Sequence, residues 1–328
     1  MSIVRQGAEL AAWRNDDAFA ALNSHPFTGE FGRRYYPTVF DGQAHDATFA
    51  VVGREQPLLV VPCSVGATDL DYYGMPIRLF ERTEASRDAI ERAVQLAFAE
   101  FDEVMLRNSL VRASVADVSR ASELSAIGKQ CLNRKAAASL RLSGSCELND
   151  VDQLRRSLRK SYRSLVNWGR KNLRIEYVNS SHPDRELFDR YQSFHRDIAG
   201  RSTRSQKSWD VMFECLAGGS GELILGFLTD GSLVAGTMIV DGSEVSNYAS
   251  GVYDRAKFEK PLAHWPLWLA IERSGERGKR RFDLGDIPIA DVSQKEIDIG
   301  YFKRGFASKI STWICWTWKT QSPAAALS

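Results

Sequence analysis

No stretch of this 328-residue chain approaches the ~18 consecutive apolar residues a membrane-crossing helix needs; its apolar runs, such as residues 58–61, are the length of a strand. The first residues, with Arg5, Glu9, Arg14, Asp16 and Asp17, hold no apolar block of the kind a secretory leader carries. Cysteine is sparse: Cys63, Cys131, Cys146, Cys215 and Cys315 are odd in number, scattered and without Cys-x-x-Cys spacing. That argues against a disulfide scaffold or a zinc knuckle, so no metal is expected, and it fits a reducing cytoplasm. Gly-x-Gly-x-x-Gly, the Walker A loop, His-Glu-x-x-His, Gly-x-Ser-x-Gly and the kinase signatures are also missing. Nor does one charge dominate. The 43 Lys and Arg against 41 Asp and Glu exclude a globally basic nucleic-acid coat and an acidic disordered chain.

What is present is a globular composition, 44% hydrophobic and 26% charged, with enough apolar residues for a sizeable core. At about 100–200 residues per domain, the length favours two domains. The pattern predicts a helical region over 8–22, an irregular aromatic segment (Phe27, Phe31, Tyr35, Tyr36, Phe40), and a hairpin from residues 47–52 and 58–65. A helix follows over 84–101, with Ala89, Ile90, Ala93, Val94, Ala97, Phe98 and Phe101 on one face and Thr83 as N-cap, then a short strand over 103–107. The same order recurs: strands 223–228 and 233–240 around Thr229-Asp230-Gly231-Ser232, a strand 245–253, a helix 262–273, a strand 281–285 and a last strand 310–318. Each half thus holds a hairpin, a helix and a strand. That order predicts α+β layers and not a doubly wound dinucleotide fold.

Five segments carry possible chemistry. Residues 155–174 hold eight Lys/Arg and no acid. On one helix with Leu154, Leu158, Leu165 and Trp168 inward, Arg155, Arg159 and Arg163 form a stripe at i, i+4, i+8, with Lys160 beside it. Like charges so spaced repel, which points to a polyanion partner; a solvated face answered by counter-charges elsewhere is the plain alternative. The loop Gly200-Arg201-Ser202-Thr203-Arg204 suits a carboxylate or phosphate, or is simply a polar loop. His264, in an aromatic helix start, is a core histidine or an acid–base group. Asp283 and Asp286 flank Leu284-Gly285 at a strand end, where side chains open into a cleft or cap a loop. Finally, Gly300-Tyr301-Phe302-Lys303-Arg304-Gly305-Phe306 sets adjacent cations between aromatics, with glycines that let backbone approach a ligand.

The basic helix, the Gly200–Arg204 loop, Val234-Ala235-Gly236, Tyr248-Ala249-Ser250-Gly251, His264-Trp265-Pro266-Leu267-Trp268, Phe282-Asp283-Leu284-Gly285 and Phe302-Lys303-Arg304-Gly305-Phe306 together resemble the FemAB-type branch of the GNAT acyltransferase superfamily, the peptidoglycan cross-bridge aminoacyltransferases. The likeness covers residues 140–318 and is most specific at the Phe-Lys-x-Gly-Phe ending; residues 1–140 match in the order of elements. It implies two tandem GNAT-like domains with mixed sheets and a shared cleft, residues 1–140 and a catalytic 141–320, before a frayed tail at 321–328. It also implies an N-acyltransferase that moves an aminoacyl or acyl group onto an amine, with no tightly bound cofactor. Phe302 and Lys303 fall on the family's Phe-Lys pair. Lys303 is thus expected to stabilise the oxyanion, Arg201 and Arg204 to hold an anionic part of a substrate, and His264 or Asp283 to take the amine's proton. Tyr248, Gly251 and Trp268 are expected to line the substrate, and Arg155, Arg159, Lys160 and Arg163 to meet a polyanion. The CoA-using members carry a glycine-rich loop for the pyrophosphate. Here that place reads Asp254-Arg255-Ala256-Lys257-Phe258-Glu259-Lys260-Pro261, without glycine. An aminoacyl-tRNA donor is therefore preferred to acyl-CoA, with a cell-wall precursor or a small metabolite as acceptor. A non-catalytic binding module for an anionic partner is the alternative of a different class.

Overall fold

The computed structural model describes residues 1–320 except 6, 55, 119–123, 258, 290 and 291; the expected tail at 321–328 lies outside the described residues. Along the chain run β1 (Ser2–Val4), α1 (Ala8–Trp13), α2 (Ala20–Ser24), α3 (Glu30–Phe40), β2 (His45–Asp46), β3 (Phe49–Gly53), β4 (Gln56–Val61), β5 (Ser64–Val65), β6 (Asp69–Asp71), β7 (Phe80–Glu81), α4 (Arg87–Arg107), β8 (Arg112–Asp117), α5 (Ala126–Asn133) and β9 (Ala137–Glu147). Then come α6 (Val151–Ser157), α7 (Lys160–Asn172), β10 (Arg174–Val178), α8 (Arg185–Ala199), α9 (Gln206–Ala217), β11 (Gly221–Phe227), β12 (Leu233–Asp241), β13 (Val245–Tyr253), α10 (His264–Glu276), β14 (Arg281–Ile287), α11 (Gln294–Phe306) and β15 (Lys309–Lys319). Two compact units result. One holds Met1–Asn23, Phe40–Arg141 and the residues from Thr312 on; the other holds Ser24–Val39 and Leu142–Ser311.

The first unit is built on α4. Ser86, not Thr83, caps this helix by accepting from the Ala89 N–H, and the apolar face runs on through Phe98, Phe101, Val104 and Met105. Residues 103–107 are therefore the helix's last turn and not a strand, because Val104 and Met105 keep the three-and-four spacing. The antiparallel set β1–β3–β4–β7 and the set β8–β6–β5–β2 both meet this helix. β15 pairs antiparallel with β8 and brings Trp318 onto Phe98, ring centroids 5.5 Å apart. β6 and β8 run parallel through Asp69↔Arg112 and Leu70↔Ala113, and Ile77 renews the parallel pairing opposite Val115. The expected helix over 8–22 is interrupted, since Asp16 accepts from the Ala18 N–H and starts a separate turn.

In the second unit β10, β11, β12 and β13 are antiparallel neighbours. β14 joins β13 in parallel, and β9 pairs antiparallel with β14. Every residue of β11 is buried, so both faces of the sheet are covered. Its helices include α10 and α7, whose Leu267, Trp268, Ile271, Tyr162 and Val166 share a core with Ile224 and Phe282. Ion pairs fasten α10 to the sheet. The Glu222 carboxylate, 1% exposed, accepts from Arg273 at 2.6 and 2.5 Å and from Arg277 at 3.3 Å, while Arg277 also donates to Asp241 at 2.7 Å. The aromatic segment expected to be irregular forms α3 from Glu30, with Pro37 inside it.

Candidate active site

The two parallel strands at the middle of the second unit separate early. Among the described residues β13 and β14 pair only at Val245↔Arg281, Ser246↔Phe282 and Asn247↔Asp283. Beyond that, β13 stays with β12 and β14 with β9, so their facing edges diverge into a wedge. A register shift between Asp283 and Gly285 produces the turn-away, because an extra residue in one strand bends it and sharpens its twist. Gly285 has φ +77, where a side chain is disfavoured, and its N–H donates to the Asp283 carboxylate at 2.7 Å instead of to a strand.

Lys303 lies over this kink. A Cβ on Gly285 would stand 3.4 Å from Lys303 Nζ, and Nζ donates to the Asp286 carbonyl at 3.1 Å. Burial lowers the ammonium's pKa, while the Asp286 and Asp283 carboxylates oppose that shift. One N–H of Nζ is thus used and the others are available to a substrate oxygen. Phe302 faces the opposite way. Its ring stands edge-on to His264 (5.3 Å) and to Phe306 (5.2 Å), with Tyr162 tilted against it at 6.2 Å.

The glycines around this pair serve packing. Lys303 sits in helix α11 and not at a strand start. Gly305 faces Tyr162, whose Cε2 would lie 2.1 Å from an added Cβ, and Gly300 faces Pro288. His264 fills the same aromatic pocket, edge-on to Tyr162 at 4.6 Å, and its Nδ1 is buried with no partner among the described residues. Burial takes its pKa down to about 4, so the ring is neutral at pH 7.

Asp283 is engaged on both oxygens. Besides Gly285, it accepts from His25 Nε2 at 3.0 Å, a partner the sequence reading missed. His25 Nδ1 in turn accepts from the Phe27 N–H at 3.3 Å, which fixes the ring proton on Nε2. Burial works against the carboxylate, but the His25 and Gly285 hydrogen bonds outweigh it and hold the carboxyl below its ordinary range. Asp283 consequently shapes the kink, and its oxygens are not open to an amine. Ser24-His25-Pro26 carried no spacing that tied it to a residue 258 positions on.

The remaining expected residues separate into groups. Tyr248 and Gly251 come together on β13, where a Cβ at Gly251 would overlap the Tyr248 hydroxyl, which pairs with Tyr253 at 2.8 Å. Burial pushes the Tyr253 hydroxyl up to about 12 and the Tyr248 hydroxyl well up too. Trp268 is 1% exposed inside the core, which corrects its expected place against substrate: its ring supports α10 on the sheet. Arg204 is held by the Tyr35 hydroxyl at 2.8 Å, by Thr203 and His195 at 3.2 Å, and over the Trp209 ring. Burial and Arg204 together lower the His195 pKa to about 4. Arg201, just past the left-handed cap Gly200, is exposed and has no side-chain partner among the described residues.

The single basic helix is two. α6 ends at Ser157 and α7 starts at Lys160, with Leu158 and Arg159 extended between them at ψ 130. The break arises because the Arg159 N–H leaves the helix to donate to the Gly305 carbonyl at 3.0 Å, and Leu158 turns into the core. Arg155, Arg159 and Arg163 are therefore not one stripe. Arg155 meets Glu272 at 3.6 Å, Arg163 donates to the Arg156 carbonyl at 3.2 Å, and Arg159 crosses to α11. Lys160 is exposed at the start of α7. In the loop after β13 the Asp254 carboxylate accepts from the Ala256 N–H at 3.0 Å and pairs with Lys257 at 3.4 Å.

No protein-family model and no curated protein matches the sequence. Solved structures do match in three dimensions. FemX is similar over 100% of this chain and 99% of its own, with a TM-score of 0.66 at 12% identity. A tandem GNAT protein from the clavulanic acid biosynthesis pathway is similar over 98% of this chain and 99% of its own, TM-score 0.58, 13% identity. L-PGS from Bacillus licheniformis is similar over 98% and 94%, TM-score 0.57, 11% identity. The chain thus has a tandem GNAT fold, α+β, along its whole length. Among the described residues no helix is long and apolar enough to cross a membrane.

Proposed function

We propose that this chain is an N-acyltransferase that moves an aminoacyl group from aminoacyl-tRNA to an amine. The observation that carries the reading is Lys303 Nζ poised over the kink at Gly285, beside strands that part into a wedge in a fold shared with FemX. In the transfer the amine nitrogen attacks the ester carbonyl, a C–N bond forms, and the oxygen becomes a tetrahedral oxyanion. The Lys303 ammonium donates to that oxygen; one preorganised donor is worth roughly 2.7–4 kcal/mol. The C–O ester bond then breaks, and the proton lost by the amine ends on the ribose hydroxyl. Neutral His264, with Nδ1 unpartnered, is the acceptor best suited to hold that proton in passing. Asp283 and His25 act as positioning residues for the kink.

The donor preference rests on the loop after β13. A pyrophosphate there would face the Asp254 carboxylate, which already caps the turn and neutralises Lys257. Repulsion at that point disfavours acyl-CoA. The test is a matched pair of reactions, one test amine with aminoacyl-tRNA or with a set of acyl-CoA esters. Transfer from tRNA is expected. Turnover of the CoA esters alone would replace the donor, and no turnover of either, with anionic ligands still bound, would leave a binding module.

A further inference from the structure

Tyr301 is 55% exposed on α11, although the next residue, Phe302, packs into an aromatic core. Two guanidinium groups attend its ring: Arg159 with its central carbon 3.9 Å from the centroid, and Arg304 at 5.7 Å. Arg159 is fixed there from three directions. Its Nη2 donates to the Tyr301 carbonyl and its Nη1 to the Tyr162 hydroxyl, both at 3.3 Å, and its backbone N–H is tied to Gly305. The segment that supplies Arg159 also exposes Arg155, Arg156, Lys160 and Arg163. Acid lies to one side only, where Asp298, a turn earlier on α11, accepts from Gln294 at 2.9 Å.

A wet aromatic ring held among cations contributes little to a core. It does offer a π-face to a base, with cations placed for the phosphates on either side. A duplex keeps its bases stacked on one another and could use only the cations, whereas an unpaired end can lay a base on the ring. We infer that Tyr301, Arg159 and Arg304 form a stacking platform for the unpaired 3′ end of a donor RNA. The inference rests on the reading of the donor as aminoacyl-tRNA. Tyr301 and Lys303 are two residues apart on α11, about 3 Å of axial rise, so an end stacked on the ring lies close to the transferring lysine.

The test measures fluorescence anisotropy of the whole chain with a labelled single-stranded RNA ending in CCA and with a blunt duplex of equal length. Co-sedimentation with phosphatidylglycerol vesicles runs alongside. Tyr301→Ala is expected to weaken the single strand roughly tenfold or more, and Tyr301→Phe to keep wild-type affinity. Circular dichroism confirms that both variants fold. Equal affinity of wild type and Tyr301→Ala overturns the platform, as does a preference for the duplex. Tyr301-dependent binding to vesicles with none to RNA assigns the patch to a lipid surface and overturns it too. Assaying transfer from aminoacyl-tRNA in parallel separates the two readings. Tyr301-dependent RNA binding with no transfer keeps the platform and removes the enzyme reading; transfer unaffected by Tyr301→Ala does the reverse.

Discussion

The two units share an order of strands and helices but treat their parallel strand pair differently. In the first unit β6 and β8 begin to part, and Ile77 then pairs with Val115, its N–H donating to Ser114 and its carbonyl accepting from Ala116. The seam is closed and fully dry, with Ile77 at 0% exposure. In the second unit the pair parts after Asn247 and Asp283, a glycine with positive φ follows, and a lysine stands over the gap. The same topology yields a filled core in one unit and an opening in the other. The difference comes down to whether a side chain like Ile77 or a kink like Gly285 follows the last paired residues.

That contrast can be broken from either side. Lys303→Ala is expected to lower kcat by about 10²–10³ with an unchanged urea midpoint, since it removes one donor from the oxyanion. An unchanged kcat would strip the opening of its chemical role. Ile77→Ala should do the opposite, costing about 2–5 kcal/mol in urea unfolding while leaving KM and kcat as they are. Loss of activity in the still-folded variant would mean that the closed seam is not merely structural. Gly285→Ala puts a side chain at φ +77 and should cost about 1–2 kcal/mol, with a fall in kcat as Lys303 is displaced.

The pH dependence is a smaller effect. His264 titrates near 4 in the fold against 6.5 when unperturbed, so between these values the unfolded chain binds the proton and the folded chain does not. Stability therefore falls as pH drops from 6.5 towards 4. His264→Gln should flatten that decline in urea midpoints; an identical slope would contradict a buried neutral ring. The smallest change is expected from Arg163→Ala. It should reduce the salt dependence of RNA affinity by a slope of about one and leave transfer from saturating donor unaltered.

Much of the second unit was legible in the sequence because its signals are local. Strands β11 to β13 follow the apolar runs and the Asp-Gly turn, and Phe282-Asp283-Leu284-Gly285 announced a strand ending in a kink. The misreadings have a common physical source in tertiary hydrogen bonds. The Arg159 N–H prefers the Gly305 carbonyl, 146 residues on, to the next helical turn, so no periodicity could reveal that the basic segment splits. His25 was invisible for the same reason. Trp268 was misplaced because an aromatic residue on an amphipathic helix looks alike whether it lines a ligand or a core. The glycines at Gly300 and Gly305 were correctly seen as close approaches, but the approaching groups are Pro288 and Tyr162 and not a ligand.

The way the chain is shared between its units has a practical result for anyone who wants to work with half of it. Ser24–Val39 belongs with Leu142–Ser311, and it carries both His25, which holds Asp283, and Tyr35, which holds Arg204. A gene fragment opening near residue 141 would therefore encode the lysine and its helix yet leave out the groups that set the kink and the arginine. No single cut releases the second unit intact. A minimal version would have to be re-threaded, with residues 24–39 spliced in front of the later segment by a designed linker.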